Sequence, residues 1–333
     1  GRGMDELFRL SIALTIWLQE NYPQLVGVMA FITSLGEEVF YLAALPAVYW
    51  SVDKRLGRQL GYIFLLSAAT NNIAKSLLRQ PRPFWLDPSV KLREAEGYGL
   101  PSGHAQHATA VYLLLAGWVR RGWMWLLAFV LILLMALSRI YLGVHFIQDV
   151  IGGFVLGLIV LGLFLFWQRA FAERFSRRIL GRRLLLMIAI PTGLALFYVA
   201  ALLLLGAPDL GVAWAEFVPA AELTAHEDVV STIAGLLGFG VGMILESSRV
   251  RFRTDGPIWQ RVLRYVLGIA VALGIWGLRA VLPADPEWVA LPLRFLRYLL
   301  LLLWVTYFAP WVFVKLRLAA ADEESEVRIA LWQ

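Results

Sequence analysis

Three short stretches of this 333-residue chain carry the residue types that handle a phosphate group. Lys75 to Pro83 reads KSLLRQPRP, Pro101 to His104 reads PSGH, and Ser138 to Asp149 reads SRIYLGVHFIQD; each stands at an end of a strongly apolar segment. A phosphate monoester is a dianion, so breaking it without a metal requires several fixed cations and amide donors around the phosphoryl oxygens. Lys75, Arg82 and Arg139 supply such charges, and an arginine fork grips two oxygens at once. Ser102 and Gly103, just ahead of a predicted helix, offer a hydroxyl and backbone N–H groups at a positive helix end. His145 and Asp149 are four residues apart, so on a helix they share one face and the carboxylate holds the imidazole in one tautomer. That pairing makes His145 a nucleophile, with His104 as the acid that protonates the leaving oxygen and later activates water.

Taken singly, each residue has a plainer use. A lysine or arginine at a membrane boundary anchors a helix to the interface. An isolated PSG is a helix cap, and an i,i+4 His–Asp pair is a hydrogen bond. The joint pattern carries the argument, because ionisable groups in apolar segments are rare and mark function. His107 reads as a polar pocket wall. Glu37, Glu38, Asn71 and Asn72 either shape the site or satisfy one another between helices. His226, Glu227 and Asp228 read as a helix cap rather than a metal cluster. Four histidines and no cysteine give no metal-ligand spacing, so no metal and no cofactor is expected.

The elements that position these residues must lie in lipid. The chain is 60% hydrophobic and 16% charged, against about a quarter charged in a soluble domain. Its 14 tryptophans and net charge of +6 suit interfacial belts and basic loops, and argue against a nucleic-acid partner. The expected fold is all-α, a polytopic helix bundle with about nine spans near 30–50, 58–78, 103–119, 123–142, 146–167, 184–205, 229–246, 263–282 and 295–314. Basic residues follow every odd-numbered span, whereas 206–228 is acidic. The positive-inside rule then places the N-terminus and all three motifs outside and the C-terminus in the cytoplasm. Arg279, Arg294 and Arg297 run against the pattern and are read as helix-end residues that reach the interface. Residues 1–3 read as a cloning remnant and 4–168 as a catalytic core of five spans. A basic cytoplasmic loop at 169–183, four more spans in 184–318 and a cytoplasmic tail at 319–333 complete the organisation.

The arrangement K-x6-RP, PSGH, SR-x5-H-x3-D resembles the type 2 phosphatidic acid phosphatase family at every motif position. The resemblance implies that Lys75, Arg82, Arg139, Ser102 and Gly103 bind phosphate, His104 is the acid, His145 the nucleophile and Asp149 its orienter. The same superfamily includes vanadium-dependent haloperoxidases, an oxidative alternative that a membrane setting disfavours. The nine-helix layout, the run SRIYLGVHF and the stretch Glu227 to Ser248 in the second half resemble glucose-6-phosphatase, although members of that subgroup often lack the carboxylate found here at Asp149. Sphingosine-phosphate phosphatases also have added helices but typically show threonine where Gly103 stands. The expectation is a metal-independent membrane phosphatase acting through a phosphohistidine on a lipid phosphate or diphosphate. A soluble sugar phosphate, for which Asp87 to Leu100 would be a polar lid, is the alternative substrate. A non-catalytic lipid-binding or transport protein on the same scaffold is the alternative class. Oligomeric state is not readable from the sequence.

Overall fold

The computed structural model describes residues 2–322, which are almost entirely helical. The α-helices are α1 (Arg2–Asn21), α2 (Val26–Ser34), α3 (Glu38–Ser51), α4 (Lys54–Leu78), α5 (Pro83–Leu86), α6 (Gly103–Val119) and α7 (Gly122–Tyr141). They continue as α8 (Ile147–Ser176), α9 (Leu180–Leu205), α10 (Val218–Leu245), α11 (Ile258–Gly277), α12 (Glu287–Leu303) and α13 (Ala309–Lys315). One antiparallel bridge, Phe252 with Ala321, is the extended pairing among the described residues.

Six helices are long and apolar enough to span a bilayer, or seven if the pair α2–α3, bent by 49°, is one span. The chain is an integral multi-pass membrane protein. The nine windows expected from sequence are therefore not all matched. The windows that the length and apolarity of the helices leave unmatched include the motif helices: α6 has 17 residues, and α4 carries Asn71, Asn72 and Lys75 within its apolar run. The stretch expected as a basic loop at 169–183 is mostly helix, since α8 runs to Ser176 and α9 starts at Leu180. Asp322 ends the described part of the expected tail, and 323–333 lie outside it. Helix α1 was not anticipated at all.

The chain divides into two compact units, each assembled from separate segments. Unit 1 comprises Gly1–Tyr41, Thr70–Leu161 and Tyr198–Asp228. In it α6 packs along α7, with Ala108, Ala116 and Ala128 fully buried, as small residues permit between spanning helices. Helix α1 is fastened to the same unit by polar side chains. Thr15 Oγ1 donates to the Ile140 carbonyl at 3.0 Å, and Gln19 Nε2 to the carbonyls of Val90 and Tyr141 at 2.9 and 2.8 Å. The Ser11 hydroxyl accepts the Ile147 N–H at 2.9 Å, and the Phe8 and Phe146 rings lie 4.5 Å apart. These bonds hold the chain on both sides of the 142–146 turn.

Unit 2 comprises Leu42–Ala69, Gly162–Phe197 and Val229–Gln333. Its core joins Tyr49, Trp50, Phe252, Val305, Ala309 and Phe313. A π-turn at Trp304–Phe308 interrupts the α-helical ladder, and the carbonyls of Thr306 and Val305 accept from Tyr49 Oη at 2.9 Å and Trp50 Nε1 at 2.8 Å. Glu246 is fully buried and is met by Lys54 at 3.3 Å, by Arg58, and by the Phe252 N–H at 3.0 Å. A buried carboxylate is tolerable in such a place only because its oxygens are so paired.

Candidate active site

The residues singled out in the sequence converge within unit 1. Arg82 stands at the N-terminus of the short helix α5, and its guanidinium is nearly covered by backbone oxygen. Nε donates to the Gly97 carbonyl at 2.8 Å, Nη2 to that of Glu96 at 2.6 Å and Nη1 to that of Val144 at 2.9 Å. Nη1 also lies 3.3 Å from His145 Nε2. Four of the five N–H groups that a guanidinium owns are thus in use. The two-oxygen grip expected of Arg82 is therefore not open to it in this arrangement. Burial pulls the guanidinium down to about 10, against the upward pull of Asp149, Asp228 and Glu96, so it remains charged at neutral pH.

His145 sits in the turn between α7 and α8. Gly143 makes that turn with a φ of +70°, and a Cβ there would come 2.0 Å from the Val90 carbonyl oxygen, so only glycine fits. The carboxylate of Asp149 can only accept, so His145 Nδ1–H donates to Asp149 Oδ2, at 3.3 Å. The lone pair is left on Nε2, where Arg82 donates to it. The same Asp149 oxygen accepts the Phe146 N–H at 2.9 Å. Burial, then the charges of Arg82, Arg139, Lys75 and His104, hold the His145 imidazole well below the ordinary histidine value and hence neutral.

The PSGH turn meets this group through the Ser102 N–H, which donates to the Asp149 carbonyl at 2.8 Å. Ser102 occupies the position before α6 but its hydroxyl makes no capping bond. That hydroxyl, His104 Nε2 and Arg139 Nε are buried and find no hydrogen-bond partner among the described residues. A buried polar atom normally has one. Three such atoms at the mouth of a helix N-terminus suit a multi-oxygen anion. Arg139 is steadied by Thr33, to whose hydroxyl Nη1 donates at 2.6 Å, and its buried Nε makes no hydrogen bond among the described residues. Lys75 lies in the last turn of α4, and the charges acting on it are Arg82, Asp228, Arg139 and Asp149. Those acting on His104 include Arg139, Lys75 and Arg82. The six ionisable motif residues are one electrostatic cluster.

Several contributors were not read as such. Thr33 lies in an apolar helix with no motif around it. Asn71, left open above, clamps α4 to α6: its Nδ2 donates to the Pro101 carbonyl at 3.2 Å and to Gln106 Oε1 at 2.8 Å. Gly36 gives room to the catalytic candidate His104, since a Cβ there would lie 2.6 Å from the ring carbon Cδ2. His226, Glu227 and Asp228 do not cap a helix but sit well inside α10, where Asp228 acts on Lys75 and Arg82. Glu37 pairs with Arg93. Arg79 is diverted from the cluster by Glu222, 3.1 Å away, which also accepts from Tyr98 Oη at 2.6 Å.

Two stretches of the chain match known protein families. Residues 56–174 match the PAP2 superfamily, and 230–321 match the PAP2 superfamily phosphatase transmembrane extension. The second match gives the second half a PAP2 assignment, coarser than the glucose-6-phosphatase likeness. Sphingosine-1-phosphate phosphatase 2 of Mus musculus is 37% identical over 141 residues, 40% of this chain and 40% of its own length. Phosphatidylglycerophosphatase B of Bacillus subtilis is 29% identical over 168 residues, 46% of this chain and 79% of its own. The undecaprenyl-diphosphatase of Sulfolobus acidocaldarius is 33% identical over 146 residues, 41% of this chain and 69% of its own. The chain thus spans about two fifths of the length of the sphingosine-1-phosphate phosphatase it matches, and more than two thirds of the archaeal and bacterial relatives. With the archaeal relative covered to that extent and three motifs brought into one cluster, this chain belongs to the PAP2 superfamily.

Proposed function

We propose that this protein is a metal-independent membrane phosphatase that hydrolyses a lipid phosphate monoester or diphosphate through a phosphohistidine, on the extracytoplasmic face. The observation that carries the reading is His145, neutral, with Nδ1 tied to Asp149 and the Nε2 lone pair turned toward the cations. Phosphate oxygens draw Arg82 Nη1 away from Nε2 and take donors from Arg139, Lys75, Ser102 and the first amides of α6. Nε2 then bonds to phosphorus as the P–O bond to the leaving group breaks, and His104 gives that oxygen its proton. In the second half-reaction His104 takes a proton from water, whose oxygen attacks phosphorus and releases Nε2. Asp149 balances the positive charge that the imidazole carries in between.

A lipid substrate is supported by the six or seven segments long and apolar enough to span a bilayer and by relatives named for sphingosine-1-phosphate, phosphatidylglycerophosphate and undecaprenyl diphosphate. The extracytoplasmic assignment rests on the basic loops. A sugar phosphate is the second reading, supported by the polar segment from Asp87 to Leu100, in which Lys91 and Glu94 pair at 2.7 Å and Arg93 reaches Glu37. The test is phosphate release in detergent with EDTA present, from phosphatidate, sphingosine phosphate, undecaprenyl diphosphate and glucose 6-phosphate, with and without vanadate. Release from lipids, blocked by vanadate, is expected. Loss with EDTA and rescue by magnesium would overturn the mechanism, and release from glucose 6-phosphate alone would overturn the substrate.

A further inference from the structure

Of the three arginines of unit 2 read above as interface anchors, Arg279 stands at a helix end as expected, whereas Arg294 and Arg297 lie within α12. Arg297 is not at a helix end: it lies mid-way along the 17-residue helix α12 and is 8% exposed. Arg294 is three residues earlier on the same face, with Nη1 donating to Ser231 Oγ at 3.2 Å. Arg279 belongs to the turn that closes α11, its Cζ 3.4 Å over the Trp276 ring. Arg297 itself lies 5.3 Å over the Tyr298 ring. Tyr298, which also shares a side-chain hydrogen bond with Arg297, acts on it first, and the like charges of Arg294 and Arg279 act on it next. Its Nε is buried and makes no hydrogen bond within the described residues.

Like charges brought together in an apolar span are costly to hold and mark a site by default. The two aromatic faces offset part of that cost, and an anion with several oxygens offsets more. The neighbourhood says where the anion comes from. Leu296, Leu300, Val281 and Trp288 are large, apolar and 50% to 78% exposed, the condition of residues that face acyl chains. Trp276 and Trp288, at the ends of α11 and α12 that face each other across the 278–286 turn, give the aromatic residues found at headgroup level. We propose that Arg279, Arg294 and Arg297 bind the phosphate group of an anionic membrane lipid. This site is separate from the motif cluster and does not depend on the phosphatase reading.

The test is native mass spectrometry of the full chain in detergent, titrated with phosphatidylglycerol, phosphatidylcholine or inorganic phosphate. Wild type is expected to retain one more phosphatidylglycerol than Arg279→Ala, Arg294→Gln or Arg297→Gln at equal lipid. Each substitution should weaken that retention by at least roughly tenfold, the low end for one lost charge-assisted hydrogen bond. Any lipid held at the motif cluster is common to all samples and cancels. Arg279 is exposed on a turn, so its variant reads the site even if Arg297→Gln does not fold. Hydrolysis of a water-soluble aryl phosphate should stay unchanged in Arg279→Ala. Equal retention in wild type and variants would overturn the proposal. So would inorganic phosphate binding as tightly as phosphatidylglycerol, or phosphatidylcholine doing the same, which would make the anion free or the charge irrelevant.

Discussion

Asp149→Asn is the most informative perturbation of the candidate site, because both hydrogen bonds that Asp149 accepts from the turn converge on one oxygen. An amide placed there can turn its carbonyl to the Phe146 N–H and to His145 Nδ1–H. The opposite orientation would aim an NH2 group at two donors. The tautomer of His145 is therefore expected to survive, and only the negative charge is lost. A hydrogen bond to a charged group is worth about 1.5–3 kcal/mol and a neutral one about 0.5–1.5, so the bond to His145 loses about 1–1.5 kcal/mol, while the Phe146 bond is weakened equally before and during attack. At 1.36 kcal/mol per decade this is roughly a 5- to 13-fold fall, and it should appear in kcat rather than KM because the imidazole becomes cationic only as it attacks. The assay is phosphate release from the best lipid of the panel, with thermal unfolding followed in parallel. A fall near 10⁴-fold, the size seen when a catalytic imidazole is left in the wrong tautomer, would refute the convergence argument. A fall below about threefold would mean that the charge does not matter to the chemistry.

The two histidines should separate by leaving group. His145→Ala should retain no labelled phosphate on the protein. His104→Ala should lose about 10²–10⁴-fold on alkyl phosphates and recover in part on an activated aryl phosphate; equal loss on both would end the division of roles. Nitrogen-15 histidine spectra of the substrate-free protein should show His145 still neutral as the pH falls through about 6.5. Because the unfolded chain takes up a proton there that the native one refuses, His145 removes stability as the pH drops below that value and none above it. Ordinary titration of His145 near 6.5 would contradict the burial argument. The chain has no cysteine, so one introduced at Glu96 should react with an impermeant thiol reagent in intact cells and one at Arg178 should not. Reversed labelling would put the motif cluster in the cytoplasm.

What was legible in the sequence was the part written in short range. Lys75, Arg82, His104, Arg139, His145 and Asp149 declare themselves by charge in an apolar chain, and the four-residue spacing of His145 and Asp149 pairs them although His145 lies in the turn ahead of α8 rather than on the helix. What was hidden depends on contacts between distant segments. Thr33 looks like any threonine in a spanning helix until Arg139 is found against it, 106 residues away. Asp228 sits in a helix read only for its apolar part, so its side chain was assigned to a cap. Helix α1 has an apolar face too thin for a span, and its role shows only where Ser11, Thr15 and Gln19 reach the backbone around the 142–146 turn. The span count goes unmatched where polar duty shortens or dilutes a helix, as in the two helices α4 and α6 that serve the site.

The hold of Arg82 on the carbonyls of Glu96, Gly97 and Val144 bears on how any alanine scan of this protein will read. Truncating Arg82 removes one cation, but it also strands three backbone oxygens and frees the loop that they belong to. Its measured deficit will thus sum two unrelated injuries, and Arg82 will rank above Arg139 although Arg139 gives no such bonds to a loop and keeps an Nε with no hydrogen bond among the described residues. A ranking by deficit would then record dependence on loop architecture rather than participation in bond breaking. Rescue by added guanidinium tells the two apart, since a small diffusible cation restores charge to a cavity but cannot knit a loop.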